Sequence, residues 1–148
     1  MAILSWGKPI VEIAPSTAGA PGTVFTAMPT IKEDTALLTT AKGTKADAKG
    51  EGGEQVDVRY SKSSFVFECQ VFVKKGDTRP LTDDDGIVTG NHTVRLTPED
   101  DTLEGFIMDV CAVSVEETWS SKEGKLLKYT FDGLKPATGK ILKPYTKA

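Results

Sequence analysis

The sequence predicts a mainly β fold in a single domain, with one short helix and one long flexible loop. Three observations lead there. Apolar residues recur with period two in several runs, which is the signature of half-buried strands. No long segment repeats its apolar residues at the helical period of 3.6. The chain has 148 residues, the size of one ordinary domain. Its 39 % hydrophobic and 26 % charged residues are those of a globular protein. A chain of this length buries roughly 68–70 % of the surface its unfolded form exposes, so it needs neither disulfide nor metal to stay folded.

Taken in chain order, Pro9–Ala14 and Thr23–Ala27 are short strand candidates, with Pro9 suited to a strand start or an edge. Val56–Tyr60 is a third. Ser64–Val73 is the clearest, because Phe65, Phe67, Cys69, Val71 and Val73 share one face while Val66, Glu68, Gln70 and Phe72 make the other face mixed. Its ten residues would span roughly 33 Å, and Lys74-Lys75-Gly76-Asp77 ends it with a turn. Thr93–Thr97 is a short candidate. Thr97-Pro98-Glu99-Asp100 resembles a capping box with Asp in the usual Glu position, so one or two helical turns are expected near Pro98–Glu104, stopped by Gly105. From Phe106 to about Trp119 both faces are apolar at first: Ile107, Cys111, Val113 and Val115 alternate with Phe106, Met108, Val110 and Ala112. That pattern predicts a central strand. Ser120-Ser121-Lys122-Glu123-Gly124 is turn chemistry and Leu127, Tyr129 and Phe131 alternate after it, so a long hairpin is expected. Lys140–Leu142 is the last short candidate.

Ala41–Gln55 stands apart. It holds Gly43, Gly50, Gly52 and Gly53, the cations Lys42, Lys45 and Lys49, the acids Asp47, Glu51 and Glu54, and no large apolar side chain. Such a stretch cannot bury enough apolar surface to offset the entropy of ordering it. Loops this long in compact domains are functional or disordered. Its ends would lie about 20–23 Å apart as a flexible coil, and it would reach roughly 50 Å extended. It is expected to be a flexible arm that touches another subunit, with Lys42, Gly43, Lys45, Lys49, Gly50, Glu51, Gly52, Gly53 and Glu54 as contact residues.

The residues of catalysis are largely missing. The single histidine, His92, lies in Gly90-Asn91-His92-Thr93 and reads as part of a surface turn. It has no evident partner for a hydrolytic triad or a zinc site. Leu81-Thr82-Asp83-Asp84-Asp85-Gly86 fails as a calcium loop, since Leu81 would take the first ligand position and His92 the last. It reads as a solvated acidic turn. The run from Gly133 to Lys140 has one residue too many for a phosphate loop and no Ser or Thr after the lysine. Glu99/Asp100 and Glu116/Glu117 are adjacent acids, which point to opposite faces of a strand. No enzyme activity, metal or cofactor is therefore expected. A net charge of −3 gives no footprint for a nucleic acid.

The first residues lack the basic start and apolar run of a signal peptide, and no stretch approaches the ~20 apolar residues of a membrane helix. The expectation is a protein made in a cytoplasm, with Cys69 and Cys111 as buried free thiols. Trp6, Trp119 and Tyr145 are the aromatics that could face a ligand. Trp119 reads as a core anchor, with a surface platform as the alternative.

In layout the chain resembles the tail-tube proteins of long-tailed phages and the related tube protein of type VI secretion. The residues that carry the resemblance are the opening Leu4-Ser5-Trp6-Gly7-Lys8-Pro9-Ile10-Val11-Glu12, the Gly-rich arm ending Glu51-Gly52-Gly53-Glu54 and the long strand Phe65–Val73. With them go Pro98-Glu99-Asp100 and the closing hairpin ending Phe131-Asp132-Gly133-Leu134-Lys135-Pro136. The resemblance implies a β-sandwich or half-open barrel flanked by a short helix, rings of subunits stacked into a hollow tube, and a long loop inserted into the neighbouring ring. By that resemblance Ala41–Gln55 is the inter-ring arm, the partner is the chain itself together with other tail proteins, and the location is a virion tail. The competing reading is a monomeric β-sandwich that binds a carbohydrate or a peptide.

Overall fold

The computed structural model describes every residue except Met1, Ala2, Ser5, Ala18, Asp77, Thr78 and Ala148. Asp77, assigned above to a turn, and Ser5, in the opening motif, lie outside the described residues. The chain is mainly β. Among the described residues eleven strands follow one another: β1 (Ile10–Pro15), β2 (Thr26–Ala27), β3 (Leu37–Ala41), β4 (Lys45–Lys49), β5 (Gln55–Tyr60), β6 (Ser64–Phe72), β7 (Asp83–Asp84), β8 (Ile87–Thr97), β9 (Gly105–Ser120), β10 (Gly124–Gly133) and β11 (Leu142–Tyr145). Nine form one antiparallel sheet in the order β2-β1-β8-β9-β10-β6-β3, with β11 added to β9 and β7 to β8. β4 and β5 form a separate two-stranded ribbon.

Both ends of that strand order belong to one continuous segment, residues 26–41. It leaves β1 through Thr26–Ala27 and the Met28 N–H, which donates to the Val11 carbonyl at 2.8 Å. It then crosses to β6, where the Lys32 N–H donates to Gln70 O at 2.8 Å and the Phe72 N–H to Thr30 O at 3.0 Å. β3 continues down β6 from Leu37↔Glu68 to Ala41↔Ser64. The sheet is thereby curled into a half-open barrel. Met28, Ile31, Ala36 and Leu38 of this crossing segment pack on the core.

The core is the inner face of the barrel. Phe67, Cys69 and Val71 of β6 stand opposite Phe131, Tyr129 and Leu127 of β10, and all six are buried. The Phe67 ring meets Phe106 edge-on at 5.2 Å and lies 5.9 Å from Phe131. The 16-residue strand β9 behaves in a way its alternation did not disclose. His92 pairs with Cys111 but Val94 pairs with Met108, so two steps of β8 face three of β9. This bulge changes which side of β9 faces inward. Phe106 and Met108 fill the barrel before it; Cys111, Val113 and Val115 fill it afterwards. Two faces that both looked apolar are one inward face with a change of phase.

At the bulge the backbone turns Asp109 and Val110 against an outer layer. Leu134 N–H donates to Val110 O at 2.8 Å, and the Thr93 hydroxyl donates to Asp109 O at 2.6 Å. Gly22 N–H donates to that same hydroxyl oxygen at 2.8 Å. A Cβ at Gly22 would lie 2.4 Å from the Pro15 carbonyl oxygen, so only glycine allows this approach. The buried Asp109 carboxylate is met by Lys143 Nζ of β11 at 2.6 Å.

The helix expected near Pro98–Glu104 is not formed, and no helix occurs among the described residues. Asp100 Oδ1 instead accepts hydrogen bonds from the Thr102 N–H at 3.1 Å and its hydroxyl at 2.7 Å, folding the connection into a turn. Those bonds favour Asp100 ionised and hold its carboxyl below the usual range. β8 and β9 are neighbours in the sheet, so the residues between them need only reverse the chain.

Cys69 and Cys111 are free and buried, and desolvation pushes both thiols up to about 12. Cys69→Ser is expected to cost roughly 1–3 kcal/mol, since it places a hydroxyl among apolar neighbours. Thermal unfolding with and without reductant should give one midpoint; a clear drop under reductant would contradict the free-thiol assignment.

Candidate functional site

The segment expected to be a structureless arm is an ordered antiparallel ribbon. β4 and β5 run Lys45↔Tyr60, Ala46↔Arg59, Asp47↔Val58 and Ala48↔Asp57, with a bulge before Lys49↔Gln55. β5 was legible from Val56, Val58 and Tyr60. β4, Lys-Ala-Asp-Ala-Lys, was not, because none of its residues favours a strand. Pairing with β5 supplies its ladder.

The tip and the root of the ribbon are each defined by hydrogen bonds. At the tip, Gly50 N–H donates to Glu54 O at 2.7 Å and Gly53 N–H to Gly50 O at 3.1 Å. Gly52 and Gly53 take φ values of 91° and 89° there, which side chains disfavour. At the root, Thr44 N–H donates to Ser61 Oγ at 2.7 Å, and Ser61 N–H donates back to Thr44 O at 2.9 Å. The expected contact residues therefore fall on three parts. Lys42 and Gly43 are at the root, Lys45 and Lys49 on β4, and Gly50, Glu51, Gly52, Gly53 and Glu54 in the turn.

Within the ribbon, β4 and β5 pair with each other alone. Val56 is 71 % and Tyr60 59 % exposed. Tyr60 and Val58 share a face with Lys45 and Asp47, whose exposed ion pair at 3.8 Å adds little stability. Lys42 Nζ lies 5.8 Å from the centre of the Tyr60 ring. Asp57 and Arg59 occupy the other face. A lone two-stranded hairpin is marginal in water, and this one keeps an apolar stripe uncovered.

The open side of the barrel forms a second feature. Between β1 and the crossing segment lies a cleft of about 930 Å³, with Ile10, Met28, Ile31 and Leu96 among its apolar walls. Trp6, 70 % exposed, stands at its edge. Lys32, on the cleft wall, is paired with Glu123 of the β9–β10 turn. Glu33 and Asp34 beside it are exposed.

The remaining residues singled out in the sequence are dispersed. His92 is not in a surface turn. It is buried within β8, where the ladder between β1 and β9 extends the strand back to Ile87. Trp119 is not a core anchor. It sits near the projecting end of the β9–β10 hairpin at 72 % exposure. Asp85 and Gly86, with φ values of 51° and 91°, form a tight hairpin turn between β7 and β8; Asp83 Oδ2 accepts from Gly86 N–H at 2.8 Å. Glu117 is bound by Arg79 at 2.6 Å and Lys125 at 3.3 Å, which keeps its carboxyl below the usual range. Lys135 Nζ donates to Gly139 O at 2.6 Å. Among the described residues no group of three or more His, Cys, Asp or Glu converges on a metal position, and no helix is long and apolar enough to cross a membrane.

Burial lowers the affinity of His92 for a proton. The unfolded chain, titrating near about 6.5, therefore takes up the proton first as pH falls. Stability contributed by neutral His92 is present above that pH and is lost as pH drops through it toward the folded value. Urea midpoints should fall between pH 7 and pH 5.5, and His92→Leu should flatten that slope; an unchanged slope in the variant would remove His92 as its cause.

Comparison with known proteins finds no protein-family model that matches the chain and no curated protein with a significant match.

Proposed function

We propose that this chain is a non-catalytic structural protein that associates with copies of itself, as rings stacked into a phage-tail-like tube, through the β4–β5 ribbon. The observation that carries the reading is the ribbon itself. It stands apart from the barrel, is clamped at its root, and leaves Val56 and Tyr60 largely in solvent. Exposed apolar side chains on a projecting strand pair favour burial against another surface. The resemblance of the chain's layout to tail-tube proteins supplies the form of the assembly and a virion tail as its place. Other tail proteins would meet the ends of such a tube. Sedimentation of the purified protein over a wide concentration range tests the reading, with electron microscopy of the concentrated sample. Rings or tubes support it, and a monomer at every concentration overturns it.

The exposed Trp6 beside the cleft and the exposed Trp119 favour one competing reading, a monomeric module whose aromatic surfaces bind a carbohydrate or a peptide. The same experiment separates the two.

A further inference from the structure

We infer that Ile3, Leu4 and Trp6 form a strap that closes over the cleft between β1 and the crossing segment of the same chain. In the structure the strap stands open. Within four positions it carries three large apolar side chains that are 87 %, 59 % and 70 % exposed, and apolar side chains so closely grouped favour burial. The strap leads directly into the cleft, since Trp6, Gly7, Lys8 and Pro9 are themselves part of its lining. The apolar walls from Ile10, Met28, Ile31 and Leu96 lie just beyond them.

Charge and attachment name this occupant. On the cleft wall Lys32 is engaged by Glu123. Glu33 and Asp34 are set against Lys8 and against Lys74, whose Nζ donates to Thr30 Oγ1 at 2.7 Å. A rim with both signs in near balance suits an uncharged apolar occupant, and residues 1–7 contain no charged side chain. Gly7, at a φ of 96°, is the hinge. A Cβ there would lie 2.9 Å from Glu99 Cβ, and the next residue is fixed where the Lys8 N–H donates to Glu99 Oε1 at 3.4 Å. From Gly7 the strap reaches roughly 13–14 Å to Ile3. A segment tethered this closely meets its own cleft at an effective concentration on the order of mM. The strap thereby sets the threshold that anything else entering the cleft must exceed, whichever way copies of the chain associate.

Two experiments test this, both on substitutions at exposed positions. The chain has two tryptophans, so Trp119→Phe leaves Trp6 as the reporter and Trp6→Phe leaves Trp119. In dilute solution acrylamide should quench Trp6 about twofold less than Trp119, because the strap is closed in a large share of molecules. Equal quenching of the two rings means that the strap stays open and overturns the inference.

In the second, Leu4→Cys/Glu33→Cys is oxidised by diamide at high dilution, with native thiols that burial makes inert. An intrachain disulfide is expected. Adding Ile3→Ser/Trp6→Ser should slow its formation about tenfold, since the strap keeps its reach but loses the burial that holds it down. An unchanged rate would reduce the contact to random encounter and overturn the inference. Disulfides formed only between chains would overturn it too, because the segment would then dock on a neighbour, and so would the absence of any disulfide.

Discussion

Replacing residues 42–63 by Asn-Gly is expected to leave the barrel folded and to abolish association. Ala41 and Ser64 are a directly paired position of β3 and β6. The ribbon is therefore the long loop of a β3–β6 hairpin, and a two-residue turn can close that hairpin. Shortening the loop lowers the closure entropy cost by only about 2 kcal/mol, and no buried core side chain lies between Lys42 and Ser63. Thermal unfolding of the shortened chain should stay within a few degrees of the parent, while sedimentation should show a monomer at concentrations where the parent assembles. A shortened chain that unfolds would make the ribbon part of the fold. One that still assembles would remove it as the connector.

Phe67→Ala should be among the most damaging single substitutions, at about 3–5 kcal/mol. Phe67 is fully buried in the middle of β6, against Phe106 and Phe131. It ties β6 to β9 and β10, so the cavity left behind would lie between three strands and could not close by moving one of them. Against a total stability of about 5–15 kcal/mol, that loss could unfold much of the population at room temperature. Trp119→Ala is the control: the ring is largely in solvent, and a change within about 0.5 kcal/mol is expected. Urea midpoints of the two variants measure the contrast. Equal losses would mean that the hairpin end is packed in solution.

The strands that form the barrel wall were legible where one side alternates cleanly. Phe67, Cys69 and Val71, and Leu127, Tyr129 and Phe131, each repeat every second residue, and burial of that set admits one register. The β9–β10 hairpin followed from its turn residues, and the burial of Cys69 and Cys111 from their place in apolar runs. The polar strand β4 was not legible, since its pairing lies in β5 and not in its own side chains. Leu37–Ala41 and Asp83–Asp84 were hidden for the same reason. The capping pattern at Thr97–Asp100 promised a helix. Thr97 is instead the last residue of β8, and the short link to the adjacent β9 leaves room only for a turn. Of the candidate site, composition singled out residues 41–55, but as a flexible stretch; the ordered ribbon continues through β5 to Tyr60. The cleft was not legible, because its walls come from β1, the 28–36 segment and the end of β8, which only barrel closure brings together. Alternation within one strand is local and survives in the sequence. The bulge that shifts the inward face of β9, the segment that joins both sheet edges, and the gap it leaves open depend on partners far along the chain, and only the tertiary structure decides them.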